Sequence, residues 1–261
     1  MNSSTQFNVD KSIAFITLNQ PEKHNAFDDS IIAELRAHLK TIKNDSSIRI
    51  VVLKAAGKHF CAGADLAWMK RMATLNHQQN LDDARNLASL MFELDSLPIP
   101  TIVRIQGAAY GGAIGLIACC DIAIGSEDSR FCLSEVKLGL APATIGPYVL
   151  NAIGARQCRK LFLTAESFKA EAAKQMGLLH TVVSADQLDE SVNETIKQLL
   201  QTGPLASKAA KQLIKIIQTQ PDDLAEKTSD LIASLRVSDE GQEGLGAFFD
   251  KRKPAWCLNH D

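Results

Sequence analysis

The chain has 261 residues, is 46% hydrophobic and 22% charged, and sets 28 Lys and Arg against 30 Asp and Glu for a formal net charge of -2. Such a composition belongs to a soluble globular protein able to bury a substantial core without staples, and it excludes disorder or a fibrous architecture for the bulk of the chain. The balanced charge gives no global pull toward nucleic acid or an anionic membrane, so an anionic partner has to be held by local groups.

The N-terminus is polar through Lys11 and shows no targeting signal, which makes a cytoplasmic location the expectation. Ser12 to Leu18 is β-branched and aromatic, with a turn at Asn19, Gln20 and Pro21, and is expected to be a strand. Asp28, Asp29 and Ser30 offer helix caps, and Ile31, Ile32, Leu35, Leu39 and Ile42 follow at helical spacing. Ile48 to Leu53 is an almost continuous apolar run of the kind found in strands covered on both faces. Asp83 to Leu94 has a helical pattern closed by Pro98 and Pro100, and Thr101 to Ile105 and Asp121 to Ile124 are further short strands. Gly107 to Cys120, the longest uncharged apolar stretch, is shorter than the roughly 20 residues that span a bilayer, so it belongs in a core and no membrane partner is expected. Cys61, Cys119, Cys120, Cys132, Cys158 and Cys257 form no CxxC pair and no ligand spacing with histidine, so reduced, mostly buried thiols and no metal site are expected.

From about Gly146 the pattern becomes helix after helix: Gln187 to Leu200, Leu205 to Gln218, Asp222 to Leu235 and Glu240 to Phe249, interrupted only by a short strand at His180 to Val183. The fold class expected is α/β, with repeated strand, strand, helix units over residues 1–195 and an all-helical region over 196–261. No Pro, Gly or Ser-rich linker divides the two, so the helical part is expected to pack on the core or on neighbouring subunits. The helix from Leu205 carries a basic stripe at Lys208, Lys211 and Lys215, expected to be a solvated face rather than a phosphate track.

Two glycine-containing turns follow strands, Phe60-Cys-Ala-Gly-Ala-Asp-Leu66 and Gln106-Gly-Ala-Ala-Tyr-Gly-Gly-Ala-Ile-Gly115. Small residues there let the backbone approach a ligand and leave N–H groups free, the second set at a helix N-terminus, so that two donors could meet one oxygen. Close helix packing is the competing reading, and neither turn matches a dinucleotide or phosphate-loop motif.

Six motifs carry a resemblance over nearly the whole chain. They are Asn19-Gln-Pro-Glu-Lys-His-Asn-Ala26, His59-Phe-Cys-Ala-Gly-Ala-Asp-Leu66, Gln106-Gly-Ala-Ala-Tyr-Gly-Gly112, Cys120-Asp-Ile-Ala-Ile124, Phe131-Cys-Leu-Ser-Glu-Val-Lys-Leu-Gly139 and Glu243-Gly-Leu-Gly-Ala-Phe-Phe-Asp-Lys-Arg-Lys253. In order and spacing they resemble the crotonase (enoyl-CoA hydratase/isomerase) superfamily. Within it, the segments Gly63 to Ala73 and Phe131 to Pro142 look most like hydratases of 3-methylglutaconyl-CoA and related branched acyl-CoAs.

The resemblance implies a spiral of β-β-α units with a helical C-terminal trimerisation region, and a homotrimer or dimer of trimers. It implies an acyl-CoA substrate, with coenzyme A as part of that substrate and no separate cofactor. Ala64 and Gly112 match the positions whose main-chain N–H groups hold the thioester oxygen as it gains enolate charge. Glu135 matches an acid/base glutamate. The other glutamate used by the family's hydratases falls on Gly115, so one carboxylate is left to manage both water and proton. That departure leaves two reactions open, hydration of a 2-enoyl-CoA and Δ3,Δ2-enoyl-CoA isomerisation.

Coenzyme A contacts are implied at Lys23, Ala26 and Ala62, with Phe248 and Lys251 reaching in from a neighbouring subunit. An acyl pocket is implied around Asp65, Leu66, Trp68, Met69, Tyr110 and Pro142. Tyr110 and Tyr148 are wall residues or partial substitutes for the missing acid. Gly115 is expected to leave space for a substrate carboxylate that pairs with Lys70 or Arg71, the competing reading being that those two are solvated charges. A binding protein that keeps this fold and uses its Lys208 stripe on RNA is the alternative of another class; with charge nearly balanced, nucleic acid is not the expected partner.

Overall fold

The computed structural model describes residues 3–257. The chain opens with an antiparallel pair, β1 (Thr5–Asp10) and β2 (Ile13–Leu18), paired with Phe7 opposite Ile16. Helix α1 (Asp29–Asn44) begins at Asp28, whose carboxylate accepts the Ile31 N–H at 2.9 Å, and it buries Ile31, Ile32, Leu35, Leu39 and Ile42. Next come β3 (Ile50–Ala55), α2 (Leu66–Met72), α3 (His77–Asp95), β4 (Thr101–Ile105), β5 (Ala108–Tyr110) and α4 (Gly112–Cys119). The strands β6 (Ile122–Ser126) and β7 (Arg130–Cys132) lead through a 3₁₀ turn at Glu135–Leu138 into α5 (Gly146–Thr164). The order β1-β2-α1, β4-β5-α4 and β6-β7-α5 is the repeated β-β-α unit expected from the pattern. After it come β8 (Phe168–Lys169), α6 (Ala170–Met176), β9 (Thr181–Val183) and the helices α7 (Leu188–Leu200), α8 (Pro204–Thr219), α9 (Leu224–Val237) and α10 (Asp239–Phe249).

Six strands form one sheet in the order β1-β2-β3-β4-β6-β9, parallel except for the first pair. The strand β3 is buried along its length apart from Lys54, as its apolar run predicts. Three short strands form a second sheet, β5-β7-β8. The strand β1 corrects the reading of the N-terminus as merely polar. Its residues alternate weakly because it lies at the sheet edge: Thr5 is buried, Phe7 stacks on His38 of α1 at 5.1 Å, and Val9 is exposed. Helix α3 also starts six residues before the apolar repeat, because Asn76 and Gln79 form a reciprocal capping box.

By internal contacts the chain divides into a larger unit, which reaches Leu97 and resumes from Thr101 to Val192, and a smaller one comprising Pro98–Pro100 and the chain from Asn193 on. In the smaller unit the Glu240 carboxylate accepts the Leu205 and Ala206 N–H groups at 2.8 Å each, closing the N-terminus of α8. Arg252 pairs with both oxygens of Glu243. The basic stripe of α8 is not its solvated face. Lys208, Lys211 and Lys215 are half-buried, and the Lys211 ammonium donates to the Ile99 carbonyl at 3.2 Å, while Ile214 and Ile217 are exposed. Among the described residues no helix is long and apolar enough to cross a membrane. Among the described residues no cysteine forms a disulfide; five are buried and Cys257 is half-buried.

Candidate active site

The two glycine turns are built alike and tied together. Cys61 and Ala109 form a parallel bridge, with Cys61 N–H donating to Ala108 at 3.0 Å and Tyr110 N–H to Cys61 at 3.0 Å. Two residues beyond each bridged position stands a glycine with positive φ, Gly63 at 106° and Gly111 at 54°, a conformation that a residue with a Cβ resists. One residue further lie Ala64 and Gly112. Ala64 and Gly112 therefore stand at equivalent steps, three residues past Cys61 and Ala109 in a shared parallel register. Phe27 donates to the Gly63 carbonyl and accepts from Asp65, each at 2.7 Å, so the intervening Ala64 N–H points away from Phe27. Among the described residues neither the Ala64 nor the Gly112 N–H has a protein acceptor, and Gly112 is the first residue of α4, where no intrahelical partner exists.

The strand β7 continues the same row. Ala109 pairs with Phe131, the Gly111 N–H donates to Cys132 at 2.9 Å, and four residues past Phe131 the chain enters the 3₁₀ turn that begins with Glu135. The Glu135 carboxylate is folded back onto the start of α4: its Oε1 lies 3.4 Å from where a Cβ on Gly111 would stand. Its Oε2 is buried and has no hydrogen-bond partner. Burial raises its pKa, a backbone hydrogen bond opposing in part. A carboxylate with one buried, unpartnered oxygen can exchange a proton with a bound molecule, and unpaired main-chain N–H groups can receive developing negative charge. Cys61, in the same turn, is no rival nucleophile, since burial pushes its thiol up to about 12.

Gly115 does not leave open space. A Cβ there would lie 2.3 Å from Ile145 Cγ2, 2.7 Å from Ile145 Cβ and 3.1 Å from the Met91 sulfur, and both neighbours are buried. The missing side chain has been replaced by a β-branched residue arriving from the start of α5. Of the two cations expected to meet a substrate carboxylate, Arg71 makes an exposed pair with Asp29 at 2.7 Å and Lys70 is exposed. Tyr148 is half-buried on α5 and burial raises its pKa, so its hydroxyl stays protonated at neutral pH.

The loop around Lys23 is held against the first glycine turn by Asn25. This buried side chain accepts the Gln20 N–H at 2.8 Å and donates to the Ala56 and His59 carbonyls at 2.9 Å each. Ala62 N–H donates to His24 at 3.0 Å and Ala26 N–H to Lys23 at 3.1 Å. His59 Nδ1 accepts the Ala108 N–H at 3.1 Å, which fixes a neutral ring with its proton on Nε2; burial first, then the charges of His24 and Lys58, lower its pKa. Lys23 is exposed, and Ala26 and Ala62 are half-buried. Neither Asn25 nor His59 is singled out by residue type or spacing, although a buried Asn with positive φ is a signal in hindsight.

Asp65 caps α2, accepting the Ala67 and Trp68 N–H groups at 2.8 and 2.9 Å. Of this helix only Trp68 is buried; Met69 is half-buried and Leu66 is 74% exposed. Tyr110 is half-buried, its Cβ 3.7 Å from where a Cβ on Gly63 would stand, and Pro142 is buried in the loop after Glu135. Phe248 is exposed at the end of α10 and Lys251 is exposed just beyond it. Both belong to the smaller unit. No group of three or more His, Cys, Asp or Glu able to hold a metal ion occurs among the described residues.

The Enoyl-CoA hydratase/isomerase family profile matches residues 8–259. A short-chain-enoyl-CoA hydratase from Clostridium acetobutylicum is 31% identical over 245 residues, 92% of each chain. A trans-2-decenoyl acyl-carrier-protein isomerase from Streptococcus mutans is 30% identical over 251 residues, 95% of each chain. Among solved structures, an enoyl-CoA hydratase from Shewanella pealeana superposes with a TM-score of 0.93 at 45% identity, over 97% of this chain and 96% of that one.

Proposed function

Because the chain belongs to the enoyl-CoA hydratase/isomerase family and has its crotonase fold, we propose that it adds water syn across the double bond of a 2-enoyl-CoA thioester, with Glu135 as the sole acid/base. The carboxylate takes a proton from water as the oxygen bonds to C3. The displaced electron pair moves through C2 to the thioester oxygen, which the N–H groups of Ala64 and Gly112 receive. Protonated Glu135 then returns the proton to C2. Water is thereby divided into OH at C3 and H at C2, and one carboxylate closes the cycle without a second acid. One such main-chain donor is typically worth about 10²- to 10³-fold in rate. The observation that carries this reading is the buried, unpartnered Oε2 of Glu135 beside the start of α4.

The substrate in this reading is a branched acyl-CoA of the 3-methylglutaconyl type, supported by the segments Gly63 to Ala73 and Phe131 to Pro142 and by Ile145, an apolar group in place of an acid. Coenzyme A is part of the substrate, held along Lys23 to Ala26 and Ala62, and no further cofactor enters. A homotrimer or dimer of trimers located in the cytoplasm completes the reading; the exposed Leu138, Leu140, Phe248 and Phe249 support burial against other copies of the chain. Isomerisation is the second reading. It is favoured by the single carboxylate, which can remove a C2 proton from a 3-enoyl-CoA and return it at C4. Comparing turnover of crotonyl-CoA, 3-methylglutaconyl-CoA and a 3-enoyl-CoA tests the assignment. Faster hydration of the branched substrate is expected, and turnover of the 3-enoyl-CoA alone would replace hydration by isomerisation.

A further inference from the structure

The N–H of Ala64 sits on the shoulder of a short helix with few attachments. Helix α2 has seven residues and buries one side chain, Trp68. The Trp68 indole N–H donates to Asp83 Oδ1 of α3 at 3.3 Å. Three residues on, Arg71 pairs with Asp29 at the first turn of α1, at 2.7 Å and exposed on both sides. An exposed pair of that kind adds little holding force. The Asn80 amide of α3 also donates to the Met72 carbonyl at the far end of α2, at 3.3 Å, but of the two links made by α2 side chains the half-buried Trp68–Asp83 contact is the firmer. Asp83 is an unusual acceptor in its own right: burial raises its pKa, the nearby Asp29 charge adds to the rise, and the indole hydrogen bond and Arg71 oppose it.

The rest of α2 transmits what happens at Trp68. The Trp68 N–H is also one of the two groups that the Asp65 carboxylate caps, and Asp65 follows Ala64 directly. A displaced indole therefore pulls on the cap, and the cap on the peptide whose N–H serves the thioester oxygen. We propose that Asp83 is a positioning residue that, by accepting the Trp68 indole N–H, fixes the acyl-pocket wall and the aim of the Ala64 N–H. The catalytic half of this statement rests on the enoyl-CoA reading above; the half concerning Trp68 does not.

The test uses the full-length chain, in which Trp68 and Trp256 are the two tryptophans. In a Trp256→Phe background, emission reports Trp68 alone. Asp83→Ala is expected to move that emission toward the wavelength of a solvated indole and to lower kcat about tenfold with a smaller change in KM. Asp83→Asn keeps an oxygen that can accept, and is expected to restore the emission and bring kcat to within about twofold of the parent, which a need for negative charge alone would not allow. In a Trp68→Phe background, Asp83→Ala is expected to have no further effect on kcat. The proposal is overturned by unchanged emission in Asp83→Ala, by an Asn variant as impaired as the Ala variant, or by a tenfold loss that persists without Trp68. Absence of hydratase and isomerase turnover in the parent, with the emission responding as expected, would overturn the enoyl-CoA reading and the catalytic half while leaving the Trp68 contact standing.

Discussion

Ile145 occupies the volume that a side chain on Gly115 would need, its Cγ2 standing 2.3 Å from the ideal Cβ position. Residues 111 and 115 lie one turn apart on the same side of the chain entering α4, roughly 6 Å along its axis, and the segment from Glu135 to Ile145 runs past both. That segment carries the acid at one end and the apolar plug at the other. Gly115→Ala is expected to destabilise the protein by about 1–3 kcal/mol through overpacking. Ile145→Ala is destabilising on its own, but the two substitutions together should cost less than the sum of their separate losses, a coupling that a thermal or denaturant double-mutant cycle measures. Independent, additive effects would show that the two positions do not share a volume.

Glu135→Gln should remove hydration and isomerisation together, by about 10²- to 10⁴-fold, because a neutral amide cannot take the proton from water. The pH profile of the parent follows from burial. The carboxylate works as a base only when ionised, and its pKa lies above the ordinary glutamate value, so kcat/KM should fall on the acid side at a higher pH than an exposed glutamate would give. A profile flat down to the ordinary carboxylate range would remove Glu135 from the role of base.

The same substitution has an opposite effect on stability. A raised folded-state pKa means that the folded protein binds the proton more tightly than the unfolded chain, so the contribution of this group is fully present below the unfolded pKa and is lost as pH rises through the folded one. At neutral pH the parent carries the cost of a dry carboxylate and Glu135→Gln does not. The variant should melt higher at neutral pH, and the difference should shrink as pH drops below the ordinary glutamate range. Equal melting points at all pH values would mean that the group is solvated.

Asn25 ties the Lys23 loop to the first glycine turn through both ends of its amide. Asn25→Ala would leave buried partners unsatisfied and should cost about 1–3 kcal/mol. If the loop cradles coenzyme A, KM for the acyl-CoA should rise more than kcat falls. Steady-state kinetics at a temperature where the variant remains folded separates this from simple unfolding.

The central strands and α1 are legible in the sequence because their burial is continuous or strictly periodic, as in Ile50 to Ala55 and Ile31 to Ile42. Glu135 and the two glycine turns are legible as motifs, since tight backbone turns and a carboxylate at a fixed step each require particular residue types. The edge strand at Thr5–Asp10 is not, because one of its faces meets solvent and its alternation fades. Gly115 shows the sharper limit. A glycine announces that a side chain is absent, but whether the vacated room is empty or filled depends on a residue far along the chain, and only folding brings Ile145 to it. Asp83 is hidden for a related reason: among neighbouring acids it looks like any solvated charge until the Trp68 indole is seen to point at it.

The bridge between Cys61 and Ala109 has a further consequence for how such a site can change over time. If Ala64 and Gly112 supply the two donors, these are specified by counting, three residues past a paired position on each strand, and by main-chain atoms that every substitution except proline preserves. Proline aside, point mutations at Ala64 or Gly112 can crowd the donors but do not delete them. Losing or gaining one residue between Cys61 and Ala64 would invert the direction of the N–H and abolish half of the pair at a stroke. In the reading proposed above, the charge-receiving part of the site is thus specified mainly by chain length between the bridge and each donor. The side chains at 115, 135 and 145 are free to vary one letter at a time, so it is there that a change of reaction or substrate is accessible.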